Sequence, residues 1–308
     1  MRKKILFTFL FFAILNSFTL FSQDLSASNF ISTQSFEKTG IEKFNINLSY
    51  ENIEFSEIYS DEISIDIYSN NDKLLPTVNK NNDTLEINSK MKLSTPGDYC
   101  KIVVYLPKKF SLNNLYVNIG NSKNTKLLCI NEFTIPNIPI KNININSQNT
   151  DIKGNNFNSD IKINTVDGNI LLTNITSKQL YIISKNGKIN IDNYKGEYIF
   201  LKTDNNINAD NILCDYFKVF TNQGSLYLAL KQAPLATSYI ESTTGLIQLF
   251  VPEKNNFNIE VHSSKGTFSD KIINKRFTPR HEYSYSYNQG GASIKINTTI
   301  GNIELDNF

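Results

Sequence analysis

Two histidines, His262 and His281, and three cysteines, Cys100, Cys129 and Cys214, are the side chains of this chain best suited to nucleophilic or metal chemistry. The histidines form no H-x-x-x-H pair, and the cysteine spacings match no zinc pattern. An odd number of cysteines leaves a thiol over even if one pair closes, and small buried core residues are the simpler expectation. Asp167 and Asp204 stand where aspartate stabilises turns, with no partner for acid–base work. There is no G-x-S-x-G turn, phosphate-cradling glycine loop or Cys–His arrangement. These residues predict a protein that is not an enzyme and has no cofactor or metal site. A glycan-cleaving enzyme on a β-helix is the catalytic alternative, and it requires clustered carboxylates on one face.

Aromatic side chains offer a different chemistry. Tyr181, Tyr198, Phe200, Tyr216, Phe220 and Tyr239 alternate with apolar residues. If the apolar set points inward, these six rings point outward on neighbouring strands. A contiguous ring face with phenolic handles is suited to a protein or glycan partner. Its structural alternative is that the rings ladder against one another or are roofed by another segment. Tyr283-Ser284-Tyr285-Ser286-Tyr287, with tyrosine on one side of a strand, is the candidate roof.

The elements that position these rings are repeats of apolar-x-apolar-x-[Ser/Thr]-x-x-Gly-x-apolar-x-apolar. Ile161-Ile163-Thr165-Gly168-Ile170-Leu172 is one copy, and Leu180-Ile182-Ser184-Gly187-Ile189-Ile191 is the next. Aligned, the second apolar column reads Ile145, Ile163, Ile182, Leu201, Val219, Ile240, Val261 and Ile296. The hydroxyl column reads Ser147, Thr165, Ser184, Thr203, Thr221, Ser242, Ser263 and Thr298. Glycine follows three residues later except at Thr150 and Asn206. Short fixed-period self-similarity predicts stacked β-strands, because one alternating pair of strands cannot bury its apolar side alone. About 18 residues per rung at roughly 3.3 Å each give a perimeter near 60 Å, enough for two or three strands and tight corners. Glycine at a corner fits positive φ or a close turn, and the hydroxyls can serve turn amides.

The expected fold is therefore all-β: a single-stranded β-solenoid of about eight rungs over residues 141–308, interrupted by an excursion at 270–292. Residues 36–140, with short alternating runs such as Ile102-Val104-Leu106, read as an irregular N-terminal β region or cap, and 23–35 as a flexible lead-in. Solenoid ends need covering, with 36–140 as the expected cap at one end and either the final Asn307-Phe308 or the 270–292 excursion at the other. Residues 1–22, from Met1-Arg2-Lys3-Lys4 through an apolar run to Ser22, read as a cleaved secretory signal peptide, with an uncleaved anchor as the alternative. No later segment is apolar enough for a transmembrane helix. Removing 1–22 takes away three basic residues, so 31 basic and 29 acidic residues become 28 and 29. That near balance gives no footprint for nucleic acid.

The rungs, with Ile102-Val103-Val104-Tyr105-Leu106-Pro107 and Leu115-Tyr116-Val117-Asn118-Ile119-Gly120 before them, resemble the bacterial putative-adhesin family of β-strand-repeat exported proteins. The resemblance spans roughly Phe36 to Phe308, and departs from the pattern at Asn206 and in the insert before Ile294. It implies a right-handed β-helix-like solenoid and carries no catalytic or binding residues to transfer. The expected protein is a non-catalytic envelope component in the periplasm, on the cell surface or secreted. It is either an adhesin offering a rigid face to protein or glycan, or a periplasmic scaffold without an adhesive role. Ligand identity and oligomeric state are not specified by these features.

Overall fold

Alternating apolar residues can be buried only if every rung repeats them in register, and the strand pairing shows that register. A computed structural model describes residues 29–49, 51–90, 98–120, 132–277 and 282–307. Ile163, Ile182, Leu201, Val219 and Ile240 lie opposite one another on successive parallel strands. None is more than 1% exposed. Each fully buried aliphatic side chain contributes roughly 1.5–3 kcal/mol, so such ladders are the main source of cohesion. The described residues are all-β apart from one 3-10 turn at Asp72–Leu74.

Each rung has two faces joined by two unlike corners. The first corner is the Ser/Thr-x-x-Gly turn. Thr165, Ser184, Ser263 and Thr298 accept at Oγ from the glycine N–H three residues on, at 3.2, 2.9, 3.0 and 3.0 Å. Ser184 and Thr203 also donate to the Gly168 and Gly187 carbonyls of the preceding rung, at 3.0 and 2.7 Å. At these rungs the hydroxyl thus satisfies buried turn groups that the corner would otherwise orphan, whereas Ser242 Oγ is buried without a partner. Glycine is required here by close approach, not by positive φ. A Cβ on Gly187 would lie 1.9 Å from the Gly168 carbonyl oxygen.

Positive φ belongs to the second corner. Asn156, Asn174, Asn193 and Asn211 adopt φ of 62°, 54°, 58° and 57°. Asparagine tolerates this region better than other side-chain-bearing residues. A single left-handed residue bends Ile170–Ser184, Ile189–Thr203 and Ile207–Thr221, each a 15-residue strand, from the second face of one rung onto the first face of the next. Amides link the bends: Asn193 Nδ2 donates to Asn174 Oδ1 at 2.8 Å.

The first-face sheet continues toward the N-terminus through Asp160–Thr165, Ile140–Ser147, Leu112–Ile119, Lys43–Leu48 and Thr84–Asn88, all parallel. Thr77–Asn81 pairs antiparallel with Thr84–Asn88 and ends it. Asn29–Glu37, Glu62–Ser69, Cys100–Pro107 and Asn52–Ile58 form a separate four-stranded sheet in that order.

At the other end the stack departs from chain order. Ser293–Thr298 pairs with Ser238–Ser242 on one side and Phe257–Ser263 on the other, placing Ile296 between Ile240 and Val261. Ile303–Asn307 sits likewise between Ile247–Val251 and Phe268–Asp270. The 293–307 rung is therefore inserted beneath the 257–270 rung that precedes it in sequence. Beyond this rung, Lys275–Phe277 and Glu282–Tyr287 pair antiparallel with Phe268–Asp270 and Phe257–Ser263 at the end of the stack. Tyr287 stacks on Phe257 at 4.5 Å. The Tyr283 and Tyr287 hydroxyls both donate to the fully buried Asp270 carboxylate.

Candidate functional site

The outward residues of the first face fall into files set by strand register. One file runs Lys162, Tyr181, Phe200, Lys218, Tyr239 and Lys295. A flanking file holds Tyr198 and Tyr216, and the file on the other side places Lys202 opposite Phe220. All six predicted rings are thus brought onto one face, in three adjacent files rather than one. Each is half-buried.

The rings pack on one another. Tyr181 and Phe200 stack with centroids 4.5 Å apart and planes 9° from parallel. Tyr198 and Tyr216 stack at 4.5 Å and 22°, and Phe200 meets Phe220 at 5.5 Å and 43°. Lysines take further ring faces: Lys162 Nζ lies 5.7 Å from the Tyr181 centroid, and Lys218 Nζ 5.7 Å from that of Tyr239. Partial burial, with the Tyr216 and Tyr181 phenols alongside, pushes the Tyr198 hydroxyl above the ordinary tyrosine range. The outward side of this face therefore carries half-buried stacked rings with Lys162, Lys202 and Lys218 among them and the carboxylates of Asp160 and Glu241 beside them.

The Tyr283–Tyr287 run does not roof this face. Its strand lies three positions beyond Ser238–Ser242 in the sheet, and its tyrosines turn toward the core and Asp270. The rings stack on one another and are not roofed by that run.

Other candidates are placed as follows. His262 is exposed, with Nδ1 3.8 Å from Glu282 Oε1. It borders a shallow groove of about 490 Å³ that also meets Lys202, Asp204, Phe220, Glu241 and Asn297. Asp167 accepts from Asn186 Nδ2 at 2.5 Å, a turn role. Cys100 and Cys214 are buried free thiols, pushed up to about 12 chiefly by burial. His281, Cys129, Phe308 and residues 1–22 lie outside the described residues. Among the described residues no cluster of three or more His, Cys, Asp or Glu is placed to hold a metal ion.

Three features escaped the sequence reading. Asn88, Asn47, Asn118, Asn146 and Asn164 form an amide ladder along the N-terminal half of the first face, with N···O distances of 2.7 to 3.2 Å. Tyr227 and Phe250 make a ring pair on the second face, 5.1 Å apart. Lys162, Lys202 and Lys218 stand among the rings. Counting strand register, rather than the rung columns alone, would have revealed all three.

This architecture of in-register parallel rungs with a four-stranded N-terminal sheet is accompanied by a family match over residues 41–306 to Toastrack DUF4097. The chain belongs to the Toastrack DUF4097 family. Similar folds occur in solved structures described as putative adhesins. One from Parabacteroides merdae is 12% identical with a TM-score of 0.53, and the match covers 90% of this chain and 95% of that one. One from Parabacteroides distasonis is 11% identical with a TM-score of 0.50, covering 90% and 96%. Another, from Bacteroides fragilis, is 13% identical with a TM-score of 0.39 and covers 91% and 97%. For the two Parabacteroides structures the likeness concerns fold alone. No curated protein matches the chain.

Proposed function

We propose that this Toastrack chain is an exported, non-catalytic cell-envelope protein that presents the first face of its stack to a protein or glycan partner. One observation carries the reading: six half-exposed rings are gathered on one flat sheet face, and the tyrosine strand able to roof them is committed to the end of the stack. Export rests on the basic and apolar pattern of residues 1–22. The coil is right-handed, the hand that parallel crossover connections adopt. A stack held by buried aliphatic ladders and corner hydrogen bonds is rigid, so binding costs it little ordering entropy.

Replacing Tyr181, Phe200 and Tyr239 by Ser tests the reading directly. Attachment of the purified protein to its target surface should be lost. The melting temperature should fall only by the few degrees that about 0.5–1.5 kcal/mol per stacked ring pair implies. Retained attachment in a folded variant would remove the ring face from the function. Protease treatment of intact cells separates an outer-surface adhesin, which is shaved off, from a periplasmic scaffold, which is spared. The scaffold is the second reading, supported by the same self-stacking, since rings that pair with one another also stabilise a rod without any ligand.

A further inference from the structure

We infer that the rung made of Ser293–Thr298 and Ile303–Asn307 is an exchangeable clamp, and that two copies of this chain pair by swapping it. Each copy's rung then fills the slot between the 238–251 and 257–270 rungs of the other. The inference does not depend on the ring face or on any ligand.

The slot follows from strand pairing. Phe257–Ser263, Phe268–Asp270, Lys275–Phe277 and Glu282–Tyr287 form an end unit held together by antiparallel pairs. Among the described residues, none of these four strands pairs with a strand that precedes it outside the unit. Their remaining pairings are both to the inserted rung. That rung also pairs in parallel with Ser238–Ser242 and Ile247–Val251, so it alone bridges the end unit to the stack.

Its grip comes from both sides. Ile294, Ile296, Ile303 and Leu305 are fully buried between the two flanking rungs. From the stack, Gln248 Nε2 donates to Glu304 Oε2 at 3.4 Å. From the end unit, Lys271 pairs with Glu304 at 3.2 Å, and the Thr267 amide donates to Asn302 Oδ1 at 3.0 Å. A Cβ on Gly301 would lie 2.1 Å from the Gly245 carbonyl oxygen, so glycine is required at that corner. The slot therefore selects an extended segment carrying the apolar, hydroxyl and glycine columns of a rung. Residues 293–307 of a second copy meet every one of these demands.

The connection into the rung is suited to release. Residues 288–292 lead round the end of Phe257–Ser263 and contain no buried side chain. Their closed form uses two left-handed residues, Asn288 at φ 55° and Gly290 at φ 70°. Glu282–Tyr287 and Ser293–Thr298 flank Phe257–Ser263 and run in opposite directions. Straightening residues 288–292 makes these two strands collinear. A two-fold axis normal to the first face then sets each tyrosine strand in line with the other copy's slot. Exchange keeps every contact of the rung and alters only the hinge. Concentration and hinge conformation consequently decide between the closed monomer and the swapped pair.

The experiment mixes two full chains, E241C and N297C, each in a Cys129→Ser background. They are unfolded together, refolded at about 1 mM, near the effective concentration that a short linker gives its own segment, and oxidised. Neither variant holds both cysteines, so a disulfide between positions 241 and 297 forms only when one chain's rung sits in the other's slot. The expected result is that disulfide in on the order of a tenth of the chains. A mixture never unfolded, and E241C refolded with H262C, should give none, since positions 241 and 262 are two strands apart. Absence of the 241–297 disulfide after joint refolding, or equal crosslinking in either control, overturns the inference. Gly290→Val supplies a second readout, because it penalises the closed hinge and leaves an extended one unstrained. It should favour the swapped dimer about 5- to 30-fold per hinge in size-exclusion chromatography of refolded protein. A lower melting temperature without any gain in dimer would count against exchange.

Discussion

Cysteines placed at Glu241 and Asn297 should close a disulfide, whereas cysteines at Glu241 and His262 should not. All three residues face outward and are exposed, and Asn297 lies in register with Glu241 on one side and His262 on the other. Neighbouring strands are about 4.8 Å apart, inside the roughly 4.4–6.8 Å range of Cα separations that a disulfide bridges. Glu241 and His262 are two strands apart, about 9.6 Å, beyond that reach. Stacking in chain order would reverse the outcome, because His262 belongs to the rung that follows Glu241 in sequence. The assay is non-reducing mass spectrometry of the oxidised variants in a Cys129→Ser background. Cys100 and Cys214 can remain, since burial pushes their thiols up to about 12 and keeps them protonated. A crosslink in E241C/H262C without one in E241C/N297C would refute the inserted rung. Ile296→Ala gives an energetic companion. Ile296 is fully buried between Ile240 and Val261, so the truncation should cost about 2–5 kcal/mol and lower the melting temperature by roughly 5–20 °C. A shift under about 2 °C would mark a frayed terminal rung instead.

Corner glycines should be far less tolerant than Gly120, which has open space around it. Gly187→Ala, whose Cβ meets the Gly168 carbonyl at 1.9 Å, should destabilise by at least ~2 kcal/mol, whereas Gly120→Ala, with open space around it, should be near neutral in denaturant titration. At the opposite corner, Asn174→Val should cost about 1–2 kcal/mol and Asn174→Gly much less, because φ there is 54°. Stability should fall as pH rises above about 10. Burial raises the phenols of Tyr194, Tyr283 and Tyr287 above the ordinary tyrosine range, so the unfolded chain loses protons first. Their stabilising contribution is complete below the unfolded value and disappears as pH climbs toward the folded one. Tyr194→Phe should reduce that alkaline slope by up to ~1.4 kcal/mol per pH unit in urea titrations run between pH 9 and 11.

The ladders of Ile163, Ile182, Leu201, Val219 and Ile240 were legible because burial demands the same residue type in every rung. So was the hydroxyl–glycine corner, although the reason for glycine lay in a neighbouring carbonyl that no single rung reveals. The asparagine bends were not legible. Asn174, Asn193 and Asn211 sit in an asparagine-rich chain where the residue type alone does not single them out, and the strand runs on through the bend. Rung order at the C-terminal end could not be read from columns at all. Val261 and Ile296, Ser263 and Thr298, and Gly266 and Gly301 satisfy the same columns, so periodicity treats the two rungs as interchangeable. The six rings were correctly assigned to one outer face by alternation. Their pairing and the lysines among them depend on which strand lies beside which, information that resides in register between rungs.

The inserted rung also bears on how the chain reaches its fold during synthesis. Residues 257–270 leave the ribosome before 293–307, and both match the edge offered by Ser238–Ser242 and Ile247–Val251. The native order gives that edge to the later segment. An early rung already docked there must release it, or be held away by its own antiparallel hairpin partners, Lys275–Phe277 and Glu282–Tyr287. Vectorial emergence and final architecture are therefore opposed at this one position. A solenoid that could otherwise grow rung by rung, like a zipper, must wait here for its later segment before its stack can close.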